Sequence, residues 1–228
     1  MYSVGQYWNP KQAELKQMLK EGKIEEVKTI LYELHSFVHS ANVYEGQYYS
    51  YLDEILEGLS DKAFRIMPSM GDNTIIWNLW HITRIEDITA NILIAKGEQV
   101  LDDNWLVRLN TSVKDTGNAM SGEEINSFSC DINTDELINY RNAVGARTKQ
   151  IIANLKQEDL KRRFSQKHKN KILSEGGVVE HPQSIWLLDF WSKKNVAGIL
   201  MMPITRHQIV HLNDCKKLKA KCSKLVLL

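Results

Sequence analysis

The chain of 228 residues carries 29 Lys and Arg against 28 Asp and Glu, a net charge of +1, and 43% apolar residues. That balance fits one folded domain over 1–228, excludes a disordered polyelectrolyte, and speaks against a general binder of nucleic acid or anionic lipid. No run reaches the roughly 18 apolar residues of a membrane span, and the start MYSVGQYWNPKQAELKQ lacks an apolar signal region, so a cytoplasmic protein with no membrane partner is expected.

Only four prolines interrupt apolar positions that recur at helical spacing, which predicts an all-α chain with little strand. A short helix is expected over 10–21, ended near Gly22, within an N-terminal extension of residues 1–22. The first long helix carries Val27, Ile30, Leu31, Leu34 and Val38, and a further piece runs from Tyr48 through Leu52, Ile55 and Leu56 to Gly58. A second long helix starts at Ile75 and Ile76, with Asp72 or Asn73 as the cap and Gly97 as the stop.

Residues 98–132 read as an elaborated connection holding a short helix, because Ser121 and Glu124 have capping-box spacing. The third long helix opens at Asn133 and Glu136 and shows Leu137, Tyr140, Val144, Ile151 and Leu155 on one face. A basic loop and a turn-rich stretch with Gly176, Gly177 and Pro182 lead to the last helical region, where Pro203 marks a kink or the first turn of a separate helix. Four long amphipathic helices with extra short helices and long connections make a four-helix bundle the expected architecture.

Charge is segregated despite the neutral sum. Residues 45–61 hold five acids and no Lys or Arg, 147–171 hold nine bases against two acids, and the last seventeen residues hold five Lys and one Asp. Solvated helix ends account for such patches most simply. Cys130, Cys215 and Cys222 have no CxxC spacing, and a disulfide framework is not expected.

Seven histidines carry the chemical signal. His207 and His211 in RHQIVH stand four apart, one helical turn, so that both rings can reach one ion. HSFVH repeats the spacing at His35 and His39, and helical phase separates the two pairs. At about 100° per residue His207 and His211 continue the stripe Val196, Leu200, Ile204, whereas His35 falls at the edge of its apolar arc and His39 just beyond, as boundary residues. His81 projects from the stripe Trp77, Ile85, Ile88, Ile92 and supplies a third imidazole.

Three neutral imidazoles hold a divalent ion and leave a fourth position for water or a thiol, whose pKa the metal lowers. Cys215 lies on the same stripe but about 12 Å along the axis from His207, too far to share the ion. Glu86, Arg206, Gln208, Asn213 and Asp214 are the nearby groups that could orient an imidazole or touch substrate. Met201, Met202, Trp77, Trp80, Trp186 and Trp191 read as core or pocket wall. GxGxxG, Walker and GxSxG motifs are absent.

The isolated His in IIWNLWHITRIED and the HxxxH of ITRHQIVHLN resemble the DinB/YfiT-like metalloenzyme superfamily. The resemblance is best over 70–95 and 196–215. It implies a four-helix bundle in which three histidines bind a divalent metal, often zinc or nickel. The family's first histidine falls on His81 and its final pair on His207 and His211. It also implies, for some members, transferase or isomerase chemistry that activates a low-molecular-weight thiol. This chain departs from a minimal member in its N-terminal extension, its 98–132 connection and its extra HSFVH.

The leading expectation is therefore a metal-dependent transferase, isomerase or hydrolase acting on a small molecule, with a homodimer as the assembly. The alternative is a non-catalytic helical protein, with a structural metal or none, that binds a ligand or partner. DNA association through 147–171 is weaker, because no DNA-binding motif accompanies the patch.

Overall fold

The computed structural model describes residues 4–226. Helix α1 spans Val4–Glu21 and runs through Pro10, so it begins earlier than the proline suggested. It packs against α2 (Ile24–Val38) and buries Trp8, Gln12 and Leu15. A 3-10 turn (Ala41–Tyr44) and two short helices follow, α3 (Tyr51–Leu56) and α4 (Asp61–Arg65). Ser50 and Ser60 cap these helices by accepting from the backbone N–H groups of Asp53 and Ala63.

Helix α5 (Ile75–Asp87) is capped by Thr74, whose hydroxyl accepts from the Trp77 N–H at 2.9 Å, and not by Asp72 or Asn73. The same hydroxyl pairs with the Ser129 hydroxyl at 2.7 Å. The helix widens into a π-helical segment, Ile88–Ile94.

The 98–132 connection contains two helices, α6 (Asp103–Leu109) and α7 (Gly122–Asp131), and the Ser121–Glu124 capping box opens the second. Helix α8 (Thr134–Asn154) starts at the Asn133 cap, as its sequence indicates. After a 3-10 turn (Gln157–Lys161) come α9 (Gln166–Ser174), α10 (Pro182–Ser192) with Pro182 in its first turn, and α11 (Val196–Met201) capped by Asn195. A π-helical turn, Met202–Arg206, joins α11 to α12 (His207–Val226). Among the described residues the β pairing is an isolated bridge between Arg163 and Asn195.

The bundle is α2, α5 with its π extension, α8, and the α11–α12 rod. Helix α2 packs on α8, α8 on α5, α5 on α12, and α12 with its π turn back on α2. Pro203 lies in the first turn of that π-helical segment, between α11 and α12. The Thr205 hydroxyl donates to the Leu200 and Met201 carbonyls, and the Gln12 amide of α1 donates to the Met201 carbonyl at 2.9 Å and to Thr205 at 3.1 Å. The N-terminal extension thus bonds to the π turn that precedes α12.

The segregated charges resolve into local pairings. Lys216 pairs with Glu54, Lys219 donates to the Glu54 and Glu57 carbonyls, and Lys149 reaches Glu45, so the acidic 45–61 segment faces cations from α8 and α12. In the basic stretch Arg162 caps the π extension of α5 through the Leu93 and Ile94 carbonyls. Lys169 and Lys171 pair with Asp189, Glu98 and Glu175. Exposed pairs of this kind stabilise little individually. The three cysteines are free, with Cys215 and Cys222 buried.

All thirteen residues of α5 are buried, so its polar side chains need partners inside the protein. Arg84 and Asp87 form an enclosed ion pair at 2.8 Å, and Asp87 also accepts from the Tyr140 hydroxyl at 2.6 Å and from the Val100 and Leu101 N–H groups. Arg84 donates to the Lys114 carbonyl and to Gln99. This network staples the 98–132 connection and α8 onto α5. Asp87→Ala strands the buried guanidinium and is expected to cost about 3–5 kcal/mol, read as a lower denaturant midpoint; a loss under about 1 kcal/mol would contradict the network.

Candidate metal centre

On α5, Asn78 and His81 lie three residues apart and project to one side of the helix. The His81 Nδ1–H donates to the Thr116 carbonyl at 2.8 Å, which leaves Nε2 as a lone pair directed at α12. The ring stacks on Trp77, with centroids 4.7 Å apart and planes 7° from parallel. Trp77 is held in turn by its indole N–H, which donates to the Gly117 carbonyl at 3.2 Å. Gly117 has φ +74°, and a Cβ there would stand 2.9 Å from that indole nitrogen, so glycine lets the 116–117 backbone come close.

Helix α12 begins at His207, immediately after the π turn, and presents His207 and His211 one turn apart. The His211 Nδ1–H donates to the Asn78 Oδ1 at 2.7 Å, and the Asn78 amide is oriented by donating to the Thr74 carbonyl at 2.9 Å. The Nε2 of His211 is therefore a second lone pair. His207 Nε2 lies 3.2 Å from His81 Nε2, while its buried Nδ1 has no hydrogen-bond partner. One ligand nitrogen from each ring falls within 4.8 Å of the other two.

The three rings fit a divalent cation. Two nitrogens bound at about 2.0–2.1 Å in a tetrahedral set stand about 3.3 Å apart, close to the His81–His207 spacing. Without a cation the His207 Nε2–H would donate to the His81 lone pair at 3.2 Å, and the buried Nδ1 of His207 is without a partner in either case. Burial holds His81 down to about 3 and His211 to about 4, and burial with the neighbouring rings holds His207 well below its usual value. All three are neutral ligands at pH 7. His207 and His211 are only partly buried, so the centre is reachable from one side.

The groups expected around the centre are dispersed. Arg206 is exposed, Asp214 pairs with Lys217 at 2.9 Å, and Asn213 accepts from the Tyr51 hydroxyl at 3.0 Å. Gln208 is buried but turns to Arg141 and the Ile82 carbonyl. Glu86 joins His35 and His39, at 2.8 and 2.9 Å. Cys215 is buried, and burial pushes its thiol up to about 12.

His35 and His39 are both fully buried, which corrects the expectation of boundary positions. The phase argument fails at His39 because α2 ends at Val38 and His39 is its extended cap, with φ −110° and ψ 165°. His35 is covered because α2 is packed against α1, α8 and the π turn before α12, not along one stripe. Gly145 of α8 lies against the His39 ring, where a Cβ would stand 2.5 Å from Nδ1. The sequence reading also missed Asn78 and Thr116. Asn78 had a signal, a lone amide among apolar residues one turn before His81; a backbone carbonyl such as Thr116 has none.

The model of the DinB superfamily matches residues 47–213. The chain belongs to the DinB superfamily. No curated protein matches it. The DinB segment contains His81, His207 and His211, together with Asn78 and Thr116, whereas α1 and α2, with His35 and His39, precede it.

Two outcomes follow from this packing. For metal-free protein, His39, His81 and His211 have folded pKa values of about 3, 3 and 4, below the roughly 6.5 of the unfolded chain, so the unfolded state takes up protons first as pH falls. Their contribution is fully present above about pH 6.5 and is lost toward pH 4 and below, at about 1.4 kcal/mol per pH unit for each ring. Urea midpoints measured from pH 7 to pH 4.5 should fall; a flat profile would show that the rings are solvated. Gly145→Ala should cost about 1–3 kcal/mol by crowding His39, and an unchanged melting temperature would contradict the close approach.

Proposed function

We propose that this DinB superfamily protein is a metal-dependent enzyme in which His81, His207 and His211 hold one divalent ion, zinc or nickel. The observation that supports this reading is the convergence of three neutral imidazoles, two of them with Nδ1–H committed to the Thr116 carbonyl and to Asn78. Such an ion supplies Lewis acidity and acidifies water or a low-molecular-weight thiol. The protein groups do the positioning: Thr116 and Asn78 fix the tautomers, and Trp77 fixes the plane of the His81 ring. The partly exposed side at His207 and His211 is where a small-molecule substrate approaches, for transferase, isomerase or hydrolase chemistry.

No helix among the described residues is long and apolar enough to cross a membrane, and the reading includes a cytoplasmic location. It also includes a homodimer, for which the exposed Ile185 and Trp186 of α10 offer an apolar face.

Metal analysis of untagged protein tests the centre. His81→Ala should remove about one equivalent of the metal that wild type carries, and Asn78→Ala should weaken metal affinity about 10–100-fold by freeing His211. If neither change alters metal content or stability, the metal reading fails. Turnover found with low-molecular-weight thiols and electrophilic acceptors should disappear in His207→Ala, and its persistence would place the chemistry elsewhere.

A further inference from the structure

His35, His39 and Glu86 form a second convergence that the histidine triad does not use. The Nε2 of His35 lies 2.8 Å from Oε1 of Glu86, and the Nε2 of His39 lies 2.9 Å from Oε2. The carboxylate thus turns one oxygen to each ring, and one ligand atom from each residue falls within 4.8 Å of the others. All three side chains are fully enclosed. We propose that His35, His39 and Glu86 form a structural divalent-metal site, separate from the histidine triad, that fastens α2 to α5.

The carboxylate is the group a cation would pair with. A carboxylate removed from water needs a positive partner, and the side chains that meet Glu86 are the two imidazoles. The buried guanidinium of Arg141 acts on Glu86 through space, while its hydrogen bonds go to Thr83, the Val38 carbonyl and Gln208. A divalent ion held by the two imidazoles and the carboxylate would pair with Glu86 directly.

The donor atoms converge without yet being at metal spacing. An ion bound at about 2.0–2.2 Å in a tetrahedral set holds neighbouring donors about 3.3–3.6 Å apart, so the hydrogen-bonded N–O spacings of 2.8 and 2.9 Å would open by about half an ångström as it enters. Imidazole with carboxylate suits zinc, manganese or iron. The second nitrogen of His35 lies 2.7 Å from the Tyr44 hydroxyl, an oxygen that can accept its N–H once Nε2 binds an ion, whereas the buried Nδ1 of His39 has no partner.

The role is structural because the cluster is closed. His207 and His211 leave the triad partly open, whereas nothing at His35, His39 or Glu86 meets solvent, and closed sites are the structural kind. Two of the three ligands lie outside the segment matched by the DinB model. The site therefore fastens α2, which precedes the matched segment, to α5, which carries His81 of the triad.

The test is the zinc content of untagged protein from zinc-supplemented cells, after gel filtration, for wild type, Glu86→Gln, His207→Ala and the combined His81→Ala/His207→Ala/His211→Ala variant. The combined variant should keep about one equivalent and lose it when Glu86→Gln is added. Wild type should exceed Glu86→Gln, whose amide keeps the shape of the carboxylate, by about one equivalent, and this comparison stands if the combined variant does not fold. Zinc that is lost in Glu86→Gln but not in His207→Ala would support this site while overturning the triad reading. Equal zinc in wild type and Glu86→Gln, or none in a folded combined variant, would overturn the proposal and leave the cluster a hydrogen-bonded one.

Discussion

The complete burial of α5 is the constraint on which the rest of the structure depends. A helix enclosed on every side has no water to satisfy its polar side chains, and α5 carries Asn78, His81, Thr83, Arg84, Glu86 and Asp87. Each must be met by another element. Asn78 and His81 draw in α12 and the Thr116 loop, Arg84 and Asp87 draw in α8 and the 98–132 connection, and Glu86 draws in α2. The bundle is assembled around these demands as much as around its apolar side chains.

The two histidine clusters are opposite solutions of one problem. Both bury imidazoles, and in each a hydrogen bond to one nitrogen of His35, His81 or His211 aims the other. The triad is formed by helices that meet at a partly open edge, which suits chemistry on a small molecule. The His35–His39–Glu86 cluster lies where α2, α5 and α8 close on one another, which suits holding the fold together. The π turn at Pro203 bears on the first of these, because α12 begins right after it and Gln12 of α1 donates to the Met201 carbonyl at its start. A segment far from the triad in sequence thereby supports its geometry.

Much of this was legible. Helical spacing marked the four main helices, Asn133 and the Ser121–Glu124 pair marked two starts, and phase within α12 placed His207 and His211 beside each other. His39 was misread because a 100° wheel describes a residue only while the helix continues, and α2 ends one residue earlier. Phase across Pro203 was equally insecure, since a π turn inserts an extra residue into the count. Glu86 was named as a neighbour of His81 from proximity in sequence, yet five residues along a helix turn a side chain well away from the first, and it meets α2 instead.

By itself the sequence determined an all-helical chain, the starts at Asn133 and at Ser121 with Glu124, and the pairing of His207 with His211, because these depend on local bonding and on one helix's periodicity. Tertiary structure alone decided that His81 meets that pair, that Thr116 and Asn78 set the tautomers, and that Glu86 lies between His35 and His39. Those contacts join residues about 35 to 130 positions apart, and they arise from which buried polar group each helix must satisfy when the bundle closes, a condition that no window of neighbouring residues contains.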